Sequence, residues 1–235
     1  MQPATHAVAL GKNVPATTGA HVATTAAVVG KVTVGKGSSV GYGAVIRGDV
    51  NSITIGSQVT IGDRAMIHCS GLAGNNPTAI GNRVVVGAGA IVHGATLEDE
   101  SFVGTGAQVL DTARVQKHGM VAAGSVVASG KVVASGQLWG GVPAVYIRDL
   151  TDVEKASIGA KADENAEWAA LHAVESAKKW EEIEDDLYDF EQEYGRADYY
   201  YKRLSKEAIS YKLGELENHQ IPGRVFDSPI SHRTN

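Results

Sequence analysis

The sequence predicts an all-β solenoid, a parallel β-helix of hexapeptide repeats, with C-terminal α-helices. Two observations predict the solenoid. Aliphatic residues fall at Val22, Val28, Val34, Val40 and Ile46, resume at Ile55, Ile61 and Ile67, and again at Ile80, Val86 and Val92. They then run without slip through Leu97, Val103, Val109, Val115, Val121, Val127 and Val133. A glycine often follows, as in Val34-Gly35, Val40-Gly41, Ile61-Gly62, Val86-Gly87 and Val103-Gly104. No α-helix has period six and a half-buried strand has period two, whereas a β-helix takes one short strand and one corner from each six-residue step. A third observation predicts the helical tail: Thr151-Asp152-Val153-Glu154 has the form of a capping box.

Three hexads close one triangular coil, so these eighteen inward positions make about six coils, a column about 29 Å tall at about 4.8 Å per coil. No coil buries its own inward residue; stacking lines those residues into aliphatic ladders. Glycine and small residues suit corners that need unusual dihedrals. The 28 glycines fit many corners, and the 3 Phe and 3 Trp fit a prism too narrow for large rings. The organisation expected is an N-terminal arm at 1–21, the β-helix at 22–147, helices at 148–217 and an extended arm at 218–235.

The arm is rich in Ala and Thr with one lysine and no arginine. It lacks the arginine-rich character of a matrix-targeting presequence, so it reads as a processed terminus or an arm that docks elsewhere. The first break in the repeat, between Ile46 and Ile55, holds Arg47-Gly48-Asp49-Val50-Asn51-Ser52. An arginine and a carboxylate two apart suit a fixed ion pair across a subunit contact; a solvated corner is the plain alternative. The second break, at 69–77, is a loop inserted into one hexad. His68 directly precedes it and directly follows Ile67, as His93 follows Val92. With the loop excised the two histidines lie one full coil apart, stacked about 4.8 Å from each other. Two imidazoles so placed can share a metal. Lys117 and His118 fall on the outward side of a hexad and read as surface. His6, His21, His172, His219 and His232 show no pairing.

At 145–150 the column is capped, and a helix opens at the capping box. Trp180, Ile183, Leu187, Phe190 and Tyr194 form a narrow apolar stripe on it, suited to packing along the β-helix or to a partner. Gly195 breaks that helix, Asp198 caps a second one through about 213, and Pro222 and Pro229 mark the arm. The single cysteine, Cys69, excludes an internal disulfide. No apolar run has the length of a membrane span. Residues 1–150 carry 10 Lys and Arg against 7 Asp and Glu, and the rest carry 11 against 19. That acidic tail argues against a nucleic-acid partner.

The stretches Ala44-Val-Ile-Arg-Gly-Asp-Val-Asn-Ser-Ile53, Gly62-Asp-Arg-Ala-Met-Ile-His68, Val92-His-Gly94, Val115-Gln-Lys-His-Gly-Met-Val-Ala-Ala-Gly124 and Trp139-Gly-Gly-Val-Pro-Ala144 resemble the γ-class carbonic anhydrases. Most similar are the carbonic-anhydrase-like subunits attached to mitochondrial complex I in plants, algae and protists. The resemblance covers about 22–150. It implies a left-handed β-helix, a trimer, and zinc held between subunits by two histidines of one chain and a third from its neighbour. The matching pair is His68 and His93, while the third position is Ala88. A glutamine of active members falls at Gly62; Arg47, Asp49 and Asp63 are kept. No catalytic residue is therefore assigned. The main expectation is a non-catalytic structural subunit on the matrix side of the inner mitochondrial membrane, without a transmembrane segment. Its partners would be sibling γ-carbonic-anhydrase-like subunits and other complex I subunits. Arg47, Asp49 and Asp63 would lie at the contact, and His68 and His93 would complete a zinc site against a sibling that has the third histidine. The alternatives are a working zinc carbonic anhydrase that hydrates CO2 and a hexapeptide acyltransferase with a histidine base.

Overall fold

The computed structural model describes residues 7–17, 19–71 and 76–193, and divides the chain into one unit ending at Ala177 and a second beginning at Lys178. The first unit is a parallel β-helix with three faces. On face one, His21, Ser39, Thr60, Val85, Phe102, Met120 and Leu138 stack in register, one per coil. Face two stacks residues 27–30, 45–48, 66–68, 91–93, 108–109 and 126–127. Face three stacks 32–34, 53–55, 78–80, 96–97, 114–115 and 132–133. The strands Ala27–Val34 and Val45–Ile55 run through the corner from face two into face three.

Face one therefore has seven coils, not six. The additional one is supplied by Gln137–Gly140, in which Trp139 continues the six-residue step from Val133 and pairs with Val121. The antiparallel strand Val145–Asp149 closes that end. At the other end Ala7–Val8 pairs with Val28 and Val29, so part of the N-terminal segment adds to the column. Of the eighteen inward residues all but Val22, in the first coil, are buried. A second set of small residues, including Ala44, Ala65, Ala90, Ala95, Ala107 and Ala113, fills the insides of the corners. Besides the two breaks, one further step departs from six: Val92 to Leu97 spans five residues, through Gly94 at φ +54°.

Glycine serves the corners where another strand passes close. A Cβ at Gly30, itself at φ +80°, would lie 2.3 Å from the Gly48 carbonyl oxygen. At the corner between faces three and one, four successive coils use non-glycine residues: Gln58, Arg83, Glu100 and His118 all have φ between +54° and +58°, with Gly37 before them and Gly136 after. That conformation costs about 1–2 kcal/mol per residue, and side-chain bonds offset it. Arg83 Nη1 donates to Glu100 Oε1 at 3.0 Å, His118 Nε2 lies 2.8 Å from Glu100 Oε2, and Lys117 Nζ lies 3.4 Å from the same oxygen. The hydrogen bond with His118 holds the Glu100 carboxyl below the usual range, against a smaller opposing effect of burial and with help from Lys117 and Arg83. His118 is thus a half-buried partner in an ion ladder.

Helix α1, Asp152–Ala177, opens on both bonds of the capping box: Thr151 N donates to Glu154 Oε2 at 2.9 Å, and Glu154 N to Thr151 Oγ1 at 3.3 Å. Arg148 forks onto the same carboxylate at 2.7 and 2.9 Å and, with Thr151, draws its pKa down to about 2. α1 lies along face one and buries Ile158, Gly159, Ala162 and Ala169. Arg83 reaches from the corner to Asp163 at 2.6 Å, and Asn165 donates to Thr60 at 3.1 Å.

The sequence predicts a single helix through Tyr194; the structure has two. In the second unit α2 spans Trp180–Glu193, opened by Lys179 N donating to Glu182 at 2.9 Å. The apolar stripe belongs to α2, where Trp180 and Leu187 are 65% and 55% exposed. The helix lying on the β-helix is α1, whose buried side is mostly Gly and Ala and so carries no stripe to read. The side chain of Phe190, together with Tyr194, the helix expected from Asp198 and the arm at 218–235, falls outside the described residues.

The ladders make a direct prediction. Ile61→Ala, in a fully packed inward position, should cost about 2–5 kcal/mol in urea unfolding. Val132→Ala, on an outward position 45% exposed, should change stability by no more than about 0.5 kcal/mol.

Candidate metal centre

Register on face two builds the centre. His93 pairs with His68, and His68 with Arg47, so the three stand one above another on consecutive coils. The strands Met66–His68 and Ile91–His93 each end at their histidine. The imidazole centroids are 4.9 Å apart with ring planes at 52°. His68 is buried and His93 half-buried.

Each ring is held by a carboxylate. His68 Nε2 lies 2.9 Å from Asp49 Oδ1 and 3.2 Å from Arg47 Nη2, and Arg47 Nε donates to Asp49 Oδ2 at 3.0 Å. Arg47 and Asp49 therefore pair within the chain, around His68. Burial alone would raise the Asp49 carboxyl. The hydrogen bond from His68, the backbone amides of Asp49 and Val50 and the charge of Arg47 together hold it below its usual range. His93 Nδ1 lies 2.8 Å from Asp111 Oδ1. A donor at Nδ1 leaves Nε2 bare, the arrangement that orients a metal-binding histidine. Asp111 reaches His93 because residue 94 is glycine: a Cβ there would lie 2.3 Å from the carboxylate oxygen. The sequence reading missed Asp111, which lies eighteen residues beyond His93, one place past a coil of seventeen residues here, where Val92 pairs with Val109.

The loop after His68 is tied down by Thr78 Oγ1, which donates to the His68 carbonyl at 2.5 Å, and by Ser70 N, which donates to the Asn76 carbonyl at 3.1 Å. Beneath it sits Cys69, buried, its Sγ 3.7 Å from the Arg47 carbonyl. Asp49, His68 and Cys69 place candidate ligand atoms within 4.8 Å of one another. Burial pushes the Cys69 thiol up, so it stays protonated at neutral pH, and only the thiolate is a good ligand.

Asp63 is not part of this group. It sits at another corner, where its Oδ1 accepts from Tyr42 N and its carbonyl from Gly89 N, each at 2.8 Å. Ala88 occupies that corner too. It is exposed, at the start of the face that His93 ends. Gly62 stacks directly against it: a Cβ at 62 would lie 2.5 Å from Ala88 N. The backbone has settled around glycine where active relatives of the resembled family have glutamine.

A hydrolytic zinc takes three protein ligands and an open position. Within this chain His93 offers Nε2, but His68 has turned its Nε2 to Asp49, Asp49 is locked to Arg47, and the Cys69 thiol is protonated. The described residues of one chain do not fit such a centre.

No family model matches the chain. It is 47% identical over 168 residues to "Gamma carbonic anhydrase 1, mitochondrial" of Arabidopsis thaliana, covering 70% of this chain and 61% of that protein. It therefore spans about three fifths of that relative's length. It is 40% identical over 137 residues to a "Probable carbonic anhydrase" of Methanocaldococcus jannaschii, covering 58% of this chain and 84% of that one. Among solved structures, a hexapeptide transferase family protein from Anaplasma phagocytophilum superposes with TM-score 0.67 at 34% identity, over 70% of this chain and 96% of that one.

The Asp49 cluster predicts an acid limb. A carboxyl depressed in the folded state contributes stability above its unfolded value of about 3.9 and loses it as pH falls through the lower folded value. Asp49→Asn should cost about 1–2 kcal/mol at pH 7 by urea unfolding. The gap from the parent should close as pH falls below about 4.

Proposed function

The chain belongs to the γ-carbonic anhydrase family, and on that premise we propose that it is a structural, non-catalytic member whose own trimers lack a working zinc centre. The observation that carries this reading is Ala88, a methyl group where the family's interfacial zinc takes its third imidazole. Gly62, packed against the Ala88 backbone, is the second missing element. Zinc chemistry needs the metal to hold and activate a water, and a homotrimer of this chain would offer two imidazoles per interface.

The retained half of the site supports a role in mixed assemblies. His68 and His93 stack at contact distance, Asp111 leaves His93 Nε2 bare, and Val45, Met66 and Ile91 supply apolar surface on the same face. A sibling with histidine at the position of Ala88 would complete one zinc site against this face, while Ala88 would leave the next interface incomplete. Arg47 and Asp49 would stand at that contact, with Asp63 at the corner beside it. The mitochondrial names of relatives favour a mitochondrial location. We place the protein on the matrix side of the inner membrane, as a trimer subunit attached to complex I. No helix among the described residues is long and apolar enough to cross a membrane, so attachment would run through partner subunits.

A second reading, a working carbonic anhydrase, draws on the same pair: both histidines and their carboxylates remain. Zinc content and CO2 hydration separate the two. The purified chain alone should hold well under one zinc per subunit and hydrate CO2 no faster than buffer. Ala88→His, at an exposed corner with room for a ring, should gain zinc, as should co-assembly with a histidine-bearing sibling. Stoichiometric zinc and rapid hydration by the unmodified chain alone would overturn the proposal.

A further inference from the structure

The histidines that showed no pairing in sequence include one pair that the fold brings together. His21, outward on the first coil, and His172, on α1, face each other across the seam between helix and column. Their ring centroids are 6.2 Å apart with planes at 24°. Tyr42 stands edge-on to His172 at 5.9 Å and 72°, its hydroxyl 3.4 Å from His172 Nδ1.

What surrounds the pair gives it consequences. The first half of α1 is firmly seated: Ile158, Gly159 and Ala162 are buried, Asp163 is paired with Arg83, and Asn165 bonds Thr60. In the second half Ala169 is the buried residue. There Ala166, Ala170 and Ala173 face Ala20 and Val22 across a groove of about 430 Å³. Small side chains over an unfilled groove make few contacts. The three rings meet across the seam beside Trp168 and Ala169, which line the same recess.

We propose that residues 166–177 form an acid-released latch: protonation of His21 against the His172 ring lifts the second half of α1 from the first coil and opens the groove, while residues 158–165 stay anchored. A charge on half-buried His21 is partly desolvated at the seam and faces the ring of His172, itself an exposed residue. The charged and titratable groups facing the pair are few. Asp63 lines the same recess with Tyr42, its carboxylate already accepting from Tyr42 N; Lys36 lies beside Gly19 in the neighbouring turn; Glu175 follows His172 by three residues on α1. Burial first, and the neighbouring His172 second, lower the pKa of His21. A docked imidazole with a depressed pKa binds protons less tightly than a released one, so docking is favoured above about pH 6.5 and weakens as pH falls below it.

Amide hydrogen exchange on the intact chain at pH 7.5 and 5.5, corrected for intrinsic rates, tests the latch. Protection of residues 166–177 should fall about threefold or more at the lower pH. Residues 153–165 should hold theirs. His21→Gln and His172→Gln, which keep a polar side chain and cannot charge, should stay protected at both. Equal protection at both pH values, the same loss in the glutamine variants, or a uniform loss along α1 would each overturn the proposal. If His21→Gln fails to fold, the imidazole resonances of the parent chain decide. The His21 resonance should titrate together with the loss of protection; its titration without that loss would overturn the latch.

Discussion

The column is fixed by one constraint: each short strand pairs in parallel with its equivalent on the neighbouring coil. The bonds that satisfy the backbone of one coil come from its neighbours, and the inward residue of each strand has nowhere dry to go except against those of adjacent coils. Register and burial thus enforce each other. A residue's neighbours are then set by coil arithmetic, so His68 meets His93 and Arg83 meets Glu100, while Asp111, one place past the residue stacked on His93, reaches it over Gly94. The centre on face two and the ion ladder at the corner are both by-products of that stacking.

Whatever obeys this arithmetic was legible in the sequence, and whatever does not was not. The aliphatic positions from Val22 to Val133 gave the column, and the two interruptions were located, because a six-residue period over so many steps has one structural solution. Trp139 keeps the period but is neither small nor aliphatic, so the seventh coil went unread. Asp111 was overlooked because the five-residue step from Val92 to Leu97 shortens the coil, so counting from His93 lands one place short of it. The contacts of α1 are another matter. Its docked face is built from Gly159, Ala162 and Ala169, which no hydrophobic periodicity reveals, while the conspicuous stripe lies on α2. The pairing of His21 with His172, residues far apart in the chain, depends on where that helix lands.

At the centre, Arg47 and Asp49 close on each other and on His68 inside one chain. The nine-residue step between Ile46 and Ile55 places Asp49 two residues past Arg47, which pairs with His68, where the register against the preceding coil shifts. A side chain committed in this way must be released before it can serve a metal. A bare imidazole pair with one nitrogen already engaged is a weaker starting point than the sequence spacing alone implies.

The interruptions at 47–52 and 69–77 have one more implication. Coils above and below them keep register, and the aliphatic ladders run past undisturbed. A corner can lengthen, or exchange a ring for a methyl, without any signal reaching the interior. Selection for folding is consequently blind to such changes. A corner of this column can therefore change its polar chemistry while the ladders beneath it stay intact.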